Sequence, residues 1–206
     1  MTSANGLFLV LDGPDGGGKS TQVRRLVERI RATGRAVESV RDPGGTPVGE
    51  RIRGVLLDPE VGEMDPVTEV LLYQAARRRL ILERIRPALA AGKVVVSDRW
   101  HTATQAYQGG GSGVDAAIIR LTTKIATDGL EPRRAILLDV DEETAAARMT
   151  RALDRIELRG PEFRARVRTE FRRLFSCDPD RTVRIDASAS EDIVAAAVWE
   201  AVRGLL

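Results

Sequence analysis

Residues 13–20 read Gly13-Pro14-Asp15-Gly16-Gly17-Gly18-Lys19-Ser20, the spacing G-x-x-x-x-G-K-[ST]. Residues of these types at this spacing can grip a polyphosphate. The glycines let successive backbone N–H groups curve around an anion, because no Cβ blocks the turn or the approach. Lys19 can set a point charge on the β and γ phosphates, and the Ser20 hydroxyl can ligate Mg²⁺. A helix opening at Thr21 and Gln22 would aim its positive end at the same anion.

The flanks carry the right elements. Gly6-Leu7-Phe8-Leu9-Val10-Leu11 is an unbroken apolar run, suited to a buried parallel strand. Val23, Leu26, Val27 and Ile30 recur at helical spacing after the loop. The chain therefore binds a nucleoside triphosphate, and the open question is where the phosphate goes.

Helical and strand patterns alternate along the rest of the chain. Strands are expected at 36–40, 93–97, 134–140 and 181–186. Helices are expected at 46–57, capped by Thr46 with Pro47 in its first turn, and from Asp65-Pro66 to about 91. The second carries Val67, Val70, Leu71, Ala75, Leu82 and Ile85. A glycine-rich loop at 109–113 precedes a helix at 114–128, and further helices are expected at 141–149, up to 175, and at 190–203. This alternation predicts an α/β fold, a five-stranded doubly wound parallel sheet in three layers, forming one domain over 1–206.

Composition narrows the partners. Lys+Arg 32 against Asp+Glu 30 leaves +2, which gives no argument for nucleic acid. The single cysteine, Cys177, excludes an intramolecular disulfide and suits a reducing compartment. The first apolar run leads straight into the phosphate loop, so it is neither a signal peptide nor a membrane span. A cytoplasmic, membrane-free protein is expected.

In an open parallel sheet, ligands bind beyond the carboxyl ends of the strands. Three segments should converge there: the phosphate loop, Arg41-Asp42-Pro43 and Asp98-Arg99-Trp100. Asp98 can hold Mg²⁺ through water and Arg99 can grip a phosphate bidentately, the plainer alternative being a surface ion pair. Of eight aromatic residues, Tyr73, Tyr107 and Trp100 fall in segments expected to line this crevice. Tyr73 and Arg77 are four apart on one helix, a spacing that suits a nucleobase stacked on one and bonded by the other, or equally a core tyrosine beside a solvated arginine.

These pieces, taken in order, resemble the thymidylate kinases from the first strand to about residue 175. The matching stretches are 12–21, 41–50 (Arg41-Asp42-Pro43-Gly44-Gly45-Thr46-Pro47-Val48-Gly49-Glu50), 68–77, Ser97-Asp98-Arg99-Trp100, Gln105-Ala106-Tyr107-Gln108-Gly109 and Asp154-Arg155-Ile156-Glu157. The resemblance implies a nucleoside monophosphate kinase-like fold and transfer of phosphate from ATP to dTMP with Mg²⁺, a step toward dTTP. It also implies a homodimer packed through long helices. By the same resemblance Asp15 accepts from the sugar 3′-hydroxyl, Arg99 holds the acceptor phosphate, and Asp42 orders arginines beside the turn proline Pro43. Tyr73 stacks on thymine, Arg77 and Thr104 reach the base edge, and Tyr107 fills the space of a 2′-hydroxyl. Gln108 and Arg53 complete that pocket, and Glu157 joins Ser20 and Asp98 around the metal.

The segment at about 148–160 resembles the family's mobile lid. One branch of the family carries an arginine in the phosphate loop where this chain has Gly16, so the lid must supply it. Arg155 is the first choice for that catalytic role beside Lys19, Asp98 and Arg99, and Arg151 and Arg148 come next. Trp100, Ala103, Tyr73 and Asp42 depart from the residues usual in the family, and the lid is short. A kinase for another deoxynucleotide or a deoxynucleoside is the nearest alternative. A regulatory nucleotide-binding protein is more distant, since the guanine-reading N-K-x-D pattern is absent.

Overall fold

The computed structural model describes residues 6–150 and 152–206. The first apolar run forms β1 (Leu7–Asp12), buried along its whole length. It lies at the centre of a parallel sheet with β2 (Val37–Arg41), β3 (Val94–Asp98), β4 (Arg134–Asp139) and β5 (Thr182–Asp186), in the order β2-β3-β1-β4-β5. Central strands of such a sheet are covered on both faces, which is why β1 and β3 read as continuous apolar runs.

Alternation along the strands divides the core in two. Leu7, Leu9 and Leu11 face α1 (Lys19–Ala32) and α9 (Glu191–Arg203), together with Val94, Val96, Ile136 and Leu138. Phe8, Val10, Val95 and Leu137 face the opposite layer, built from the helix that begins as α3 (Pro66–Leu80) and from α8 (Gly160–Ser176). Helices on both sides of one sheet give the three expected layers.

Helix starts follow the expected capping. Thr46 Oγ1 accepts from Gly49 N at 3.0 Å to open α2 (Pro47–Leu57), and Asp65 Oδ2 accepts from Thr68 N at 2.9 Å to open α3. The long helix after Asp65 runs without a break through a π turn (Ile81–Ile85) into α4 (Arg86–Ala90). Its apolar residues do not form the single face that helical spacing suggests. Val70 and Ile85 are fully buried, whereas Leu71 and Leu82 are 54% and 43% exposed. The helix thus has two apolar sides, and the π turn, which adds a residue to one turn, rotates the residues beyond it relative to those before.

The glycine-rich segment also differs from the expected loop. After α5 (His101–Thr104), residues Gln105–Gly111 form a π-helical turn, and only then does the chain open before α6 (Ala116–Thr127). The physical reason lies in α8, which presses against this turn. A Cβ on Gly110 would sit 2.5 Å from Glu170 Cβ, and the Gly111 carbonyl accepts from Arg166 Nε at 3.1 Å. Glycine here serves close packing of two helices.

The pairing register brings the functional segments together. Leu11 in β1 and Arg41 in β2 both pair with Asp98 in β3, so the three strands end side by side. The phosphate loop, Asp42 and Arg99 leave from that one edge.

Candidate active site

The loop after β1 is closed on itself before any ligand arrives. Lys19 Nζ donates to Pro14 O at 2.7 Å and lies 3.9 Å from Asp15. Burial and the nearby charge of Arg99 bring the Lys19 pKa down to about 8, against the opposing pull of Asp15, Asp98 and Asp12. Ser20 Oγ donates to Asp98 Oδ2 at 2.8 Å, so a hydroxyl and a carboxylate stand together at the start of α1. Mg²⁺ takes one or two such hard oxygen ligands and completes its shell with phosphate oxygens and water, so the pair fits that ion.

One cleft runs along this loop. Gly16, Gly18, Lys19, Ser20 and Thr21 line it on one side, and Asp98, Arg99, Arg148 and Glu157 on the other. A second cleft continues past Gly17 and Thr21 to Ala187 and Ala189. Gly13 and Pro14 do not line the cleft along the loop, and Gly13 instead donates from N to Asp12 Oδ1 at 2.9 Å and accepts from Arg99 Nη1 at 2.8 Å.

Gly16 has φ +77, and a Cβ there would lie 2.6 Å from Ala145 O in α7 (Glu142–Arg148). With α7 seated on the loop, no side chain fits at this position. The same helix ends one turn later in Arg148, which lines the loop cleft and donates to Ala187 O at 2.7 Å and Ala189 O at 3.3 Å. Helix α7 thus excludes a cation from the loop and brings one beside it.

The second cavity adjoins the first. Asp15, Asp42, Pro43, Arg53 and Tyr73 line it, as do Arg77, Arg99, Thr104, Tyr107 and Gln108. All ten residues expected to bind the monophosphate therefore border one space. Asp15, Asp42, Arg53 and Arg99 border both this space and the loop cleft. Ala103 also lines it, and Leu57, Asp154 and Ile156, for which the sequence suggests no such role, complete the wall.

Arg77 is 1% exposed and each of its three nitrogens donates once, leaving one N–H on each of Nη1 and Nη2: Nε donates to Asp42 Oδ2 at 2.5 Å, Nη1 to Gln74 Oε1 at 2.7 Å and Nη2 to Thr104 Oγ1 at 3.0 Å. Burial pushes the Asp42 carboxyl pKa up while Arg77 opposes it, and Asp42 Oδ1 is buried without a partner. The Asp42–Pro43 bond is cis, and Arg53 Nη1 donates to Pro43 O at 3.1 Å. Burial and the charge of Glu69 raise the Tyr73 hydroxyl pKa, keeping it a neutral phenol.

Arg99 joins the two spaces. It has φ +73, rare for a side-chain-bearing residue, and its guanidinium pairs with Asp15 and donates to Tyr107 Oη at 3.2 Å. Tyr107 in turn donates to Asp15 Oδ2 at 2.7 Å. Burial works to raise the Asp15 pKa, but Arg99 and Lys19 outweigh it and bring it down to about 2. Asp15 stays an anion at any physiological pH.

Two placements differ from expectation. Trp100 does not line the crevice: it is 1% exposed and meets Phe8 edge-on at 4.9 Å. The left-handed turn at Arg99, φ +73, breaks the strand's alternation and turns Trp100 into the core. The Arg77 guanidinium lies 5.7 Å from the indole centroid, so Trp100 supports the site from behind. Arg155 is not among the residues lining the loop cleft. It pairs with Glu69 at 2.7 Å and donates to Leu56 O at 2.9 Å, because a buried carboxylate on α3 claims its charge. Arg151 lies outside the described residues.

Asp12 belongs to the site although sequence reasoning misses it. It is fully buried at the end of β1, accepts from Gly13 N and Thr102 Oγ1, and lies 3.7 Å from Arg99. Burial raises its pKa and Arg99 counters. The available signal is a carboxylate closing a buried strand next to the phosphate loop.

Known proteins share this sequence and arrangement. A family profile described as thymidylate kinase matches residues 11–198. The chain is 44% identical over 201 residues to a thymidylate kinase of Deinococcus radiodurans, covering 97% of each chain. It is 41% identical over 202 residues to one of Enterococcus faecalis, covering 96% of this chain and 95% of the relative. A crystal structure of thymidylate kinase from Ehrlichia chaffeensis superposes with a TM-score of 0.79 at 28% identity, covering 97% of this chain and 99% of that one. With this agreement over nearly its whole length, the chain belongs to the thymidylate kinase family.

Proposed function

We propose that the protein transfers the γ-phosphoryl group of ATP to the 5′-phosphate of dTMP, giving dTDP and ADP, with Mg²⁺. The observation that carries this reading is the shared wall. A cleft along the phosphate loop and a second cavity share Asp15, Asp42, Arg53 and Arg99, and Tyr73, Arg77 and Thr104 line the second cavity alone.

The acceptor is a phosphate monoester, already an anion, so transfer needs no general base. Its oxygen attacks the γ phosphorus, and the bond to the β–γ bridging oxygen breaks. The protein's task is to align two polyanions and neutralise their charge. Lys19 holds the donor's β and γ phosphates, and residues 15–21 wrap them with backbone N–H groups, while Gly13 and Pro14 shape the turn that leads into them. Ser20 and Asp98, with Glu157 nearby, would hold Mg²⁺, which supplies charge neutralisation between the phosphates when bound. Arg99 releases Asp15 and takes the acceptor phosphate, and the freed carboxylate accepts from the sugar 3′-hydroxyl. Tyr73 stacks on thymine and Arg77 and Thr104 hold its edge, within the pocket closed by Asp42, Pro43, Arg53 and Gln108. Tyr107 occupies the room a 2′-hydroxyl needs.

Residues 148–160 act as the lid of a single domain, and Arg148 is the described lid arginine nearest the loop. Nothing at Gly16 competes with it. The reaction belongs in the cytoplasm, where free nucleotides are found; no helix among the described residues is long and apolar enough to cross a membrane. No nucleic acid takes part.

A homodimer accounts for the second apolar side of α3. Leu71 stands beside the exposed side chains of α6, where Leu121 and Ile125 are 62% and 67% exposed. The two helices pack on one another, so a second copy can cover both.

Three outcomes are expected. In a coupled assay, dTMP is phosphorylated in preference to dUMP, dCMP, dGMP and thymidine; preference for thymidine overturns the reading. Arg148→Ala lowers kcat about 100-fold, the loss typical of one transition-state donor, with KM for dTMP nearly unchanged. A near-normal kcat removes Arg148 from the role. Sedimentation equilibrium at micromolar concentration gives twice the chain mass, and Leu121→Glu gives the monomer; a monomeric wild type excludes the dimer.

A further inference from the structure

Glu69 lies in the first turn of α3, one helical turn before Tyr73, and its side chain is 0% exposed. Both carboxylate oxygens are engaged. Oε1 accepts from Arg155 Nη1 at 2.7 Å and from Arg159 Nη2, and Oε2 accepts from Gln108 Nε2 at 3.1 Å. The donors come from two regions: Gln108 from the π turn beside the nucleoside cavity, and both arginines from the lid segment.

One main-chain and one side-chain contact reinforce this attachment. The Arg155 backbone N–H donates to Leu57 O at 3.0 Å, and Arg159 Nη1 donates to Ser112 Oγ at 2.8 Å. Glu69, Arg155, Arg159 and Gln108 do not line the loop cleft. Asp154 and Ile156, on either side of Arg155, do line the nucleoside cavity.

The lid segment therefore divides into two parts with different surroundings. Arg148, Met149 and Thr150 face the loop cleft. Glu157 also lines that cleft, whereas Asp154, Arg155, Ile156 and Arg159 are fastened at the wall of the other cavity. An ionised carboxylate removed from water is stable only while its donors remain, so this fastening is strong and specific.

We propose that Glu69 is a positioning residue for the acceptor nucleotide. It holds the second part of the lid against α3, so that Asp154 and Ile156 close the cavity, and it orients Gln108 through the same carboxylate. Arg155 and Arg159 then serve the acceptor side through Glu69, and the donor phosphates are left to Arg148. This rests on the reading that the cavity takes dTMP, and wild-type protein that fails to phosphorylate dTMP would sink that reading and leave Glu69 a matter of lid attachment alone.

The test is steady-state kinetics in both substrates for wild type, Glu69→Gln, Arg159→Met and the double variant, with dTMP binding followed by titration calorimetry. Arg159→Met is included because it leaves Glu69 and Arg155 paired one to one, and so folds even where Glu69→Gln does not. Glu69→Gln raises Kd and KM for dTMP about tenfold, the loss of one charged hydrogen bond, with KM for ATP within about twofold. Arg159→Met raises the dTMP values about threefold in the same selective way, on the same scale of one weakened charged contact. The double variant is no weaker than Glu69→Gln alone, because both changes act through one carboxylate. Unchanged dTMP values in Arg159→Met, an equal rise for both substrates, or additive losses in the double variant would each overturn the proposal.

Discussion

The site depends on how one guanidinium is shared. Arg99 leaves the end of β3 in a left-handed conformation and reaches across to the Gly13 carbonyl, Asp15 and Tyr107, with Asp12 at 3.7 Å. Its charge is kept despite burial because Tyr107, Asp15, Asp12 and Asp98 surround it. Under the proposed function, the acceptor phosphate takes over part of this coordination. Asp15 is the partner that can be given up: it borders both spaces and keeps its negative charge when released. Asp12 cannot leave, being fully buried and bonded to the loop itself. Under the proposed function, the cation that would bind the acceptor phosphate is paired with a carboxylate that would read the sugar.

Much of this was legible in the sequence, for a geometric reason. A residue that directly follows a buried parallel strand has little freedom in where it starts, and so Gly13, Asp42 and Arg99 were bound to emerge together at one sheet edge. That convergence places Asp15, Asp42, Pro43 and Arg99 at the cavity and helical spacing places Tyr73 and Arg77, whereas Arg53, Thr104, Tyr107 and Gln108 were legible only through the family resemblance. The features that stayed hidden depend on long-range pairing. The Glu69–Arg155 pair joins residues 86 apart, and nothing local to Arg155 separates a lid cation from a tether. Trp100 turned inward because Arg99 adopts positive φ, which no residue type announces. Gly110 and Gly111 read as a loop because their purpose, room for α8, belongs to a segment far along the chain.

The two buried ion pairs have complementary uses. Arg77 with Asp42 ties α3 to the end of β2 at the cavity wall, and Arg155 with Glu69 ties the lid segment to α3. Removing one partner of such a pair costs roughly 3–5 kcal/mol, since the other charge is stranded. Such stiffness suits recognition of one base. The loop side differs: Lys19 rests on a carbonyl and Arg148 on two main-chain oxygens, partners that are exchanged for phosphate without stranding a charge. Gly16 lets α7 lie close enough for Arg148 to reach that side.

The exchange at Arg99 is most directly tested by binding dTMP and its 3′-deoxy analogue to wild type and to Asp15→Asn, using titration calorimetry. The account predicts that wild type favours dTMP by about tenfold, the worth of one charge-assisted hydrogen bond, and that Asp15→Asn loses most of that preference. An undiminished preference in Asp15→Asn would mean that the 3′-hydroxyl is read elsewhere and that Asp15 only stores Arg99.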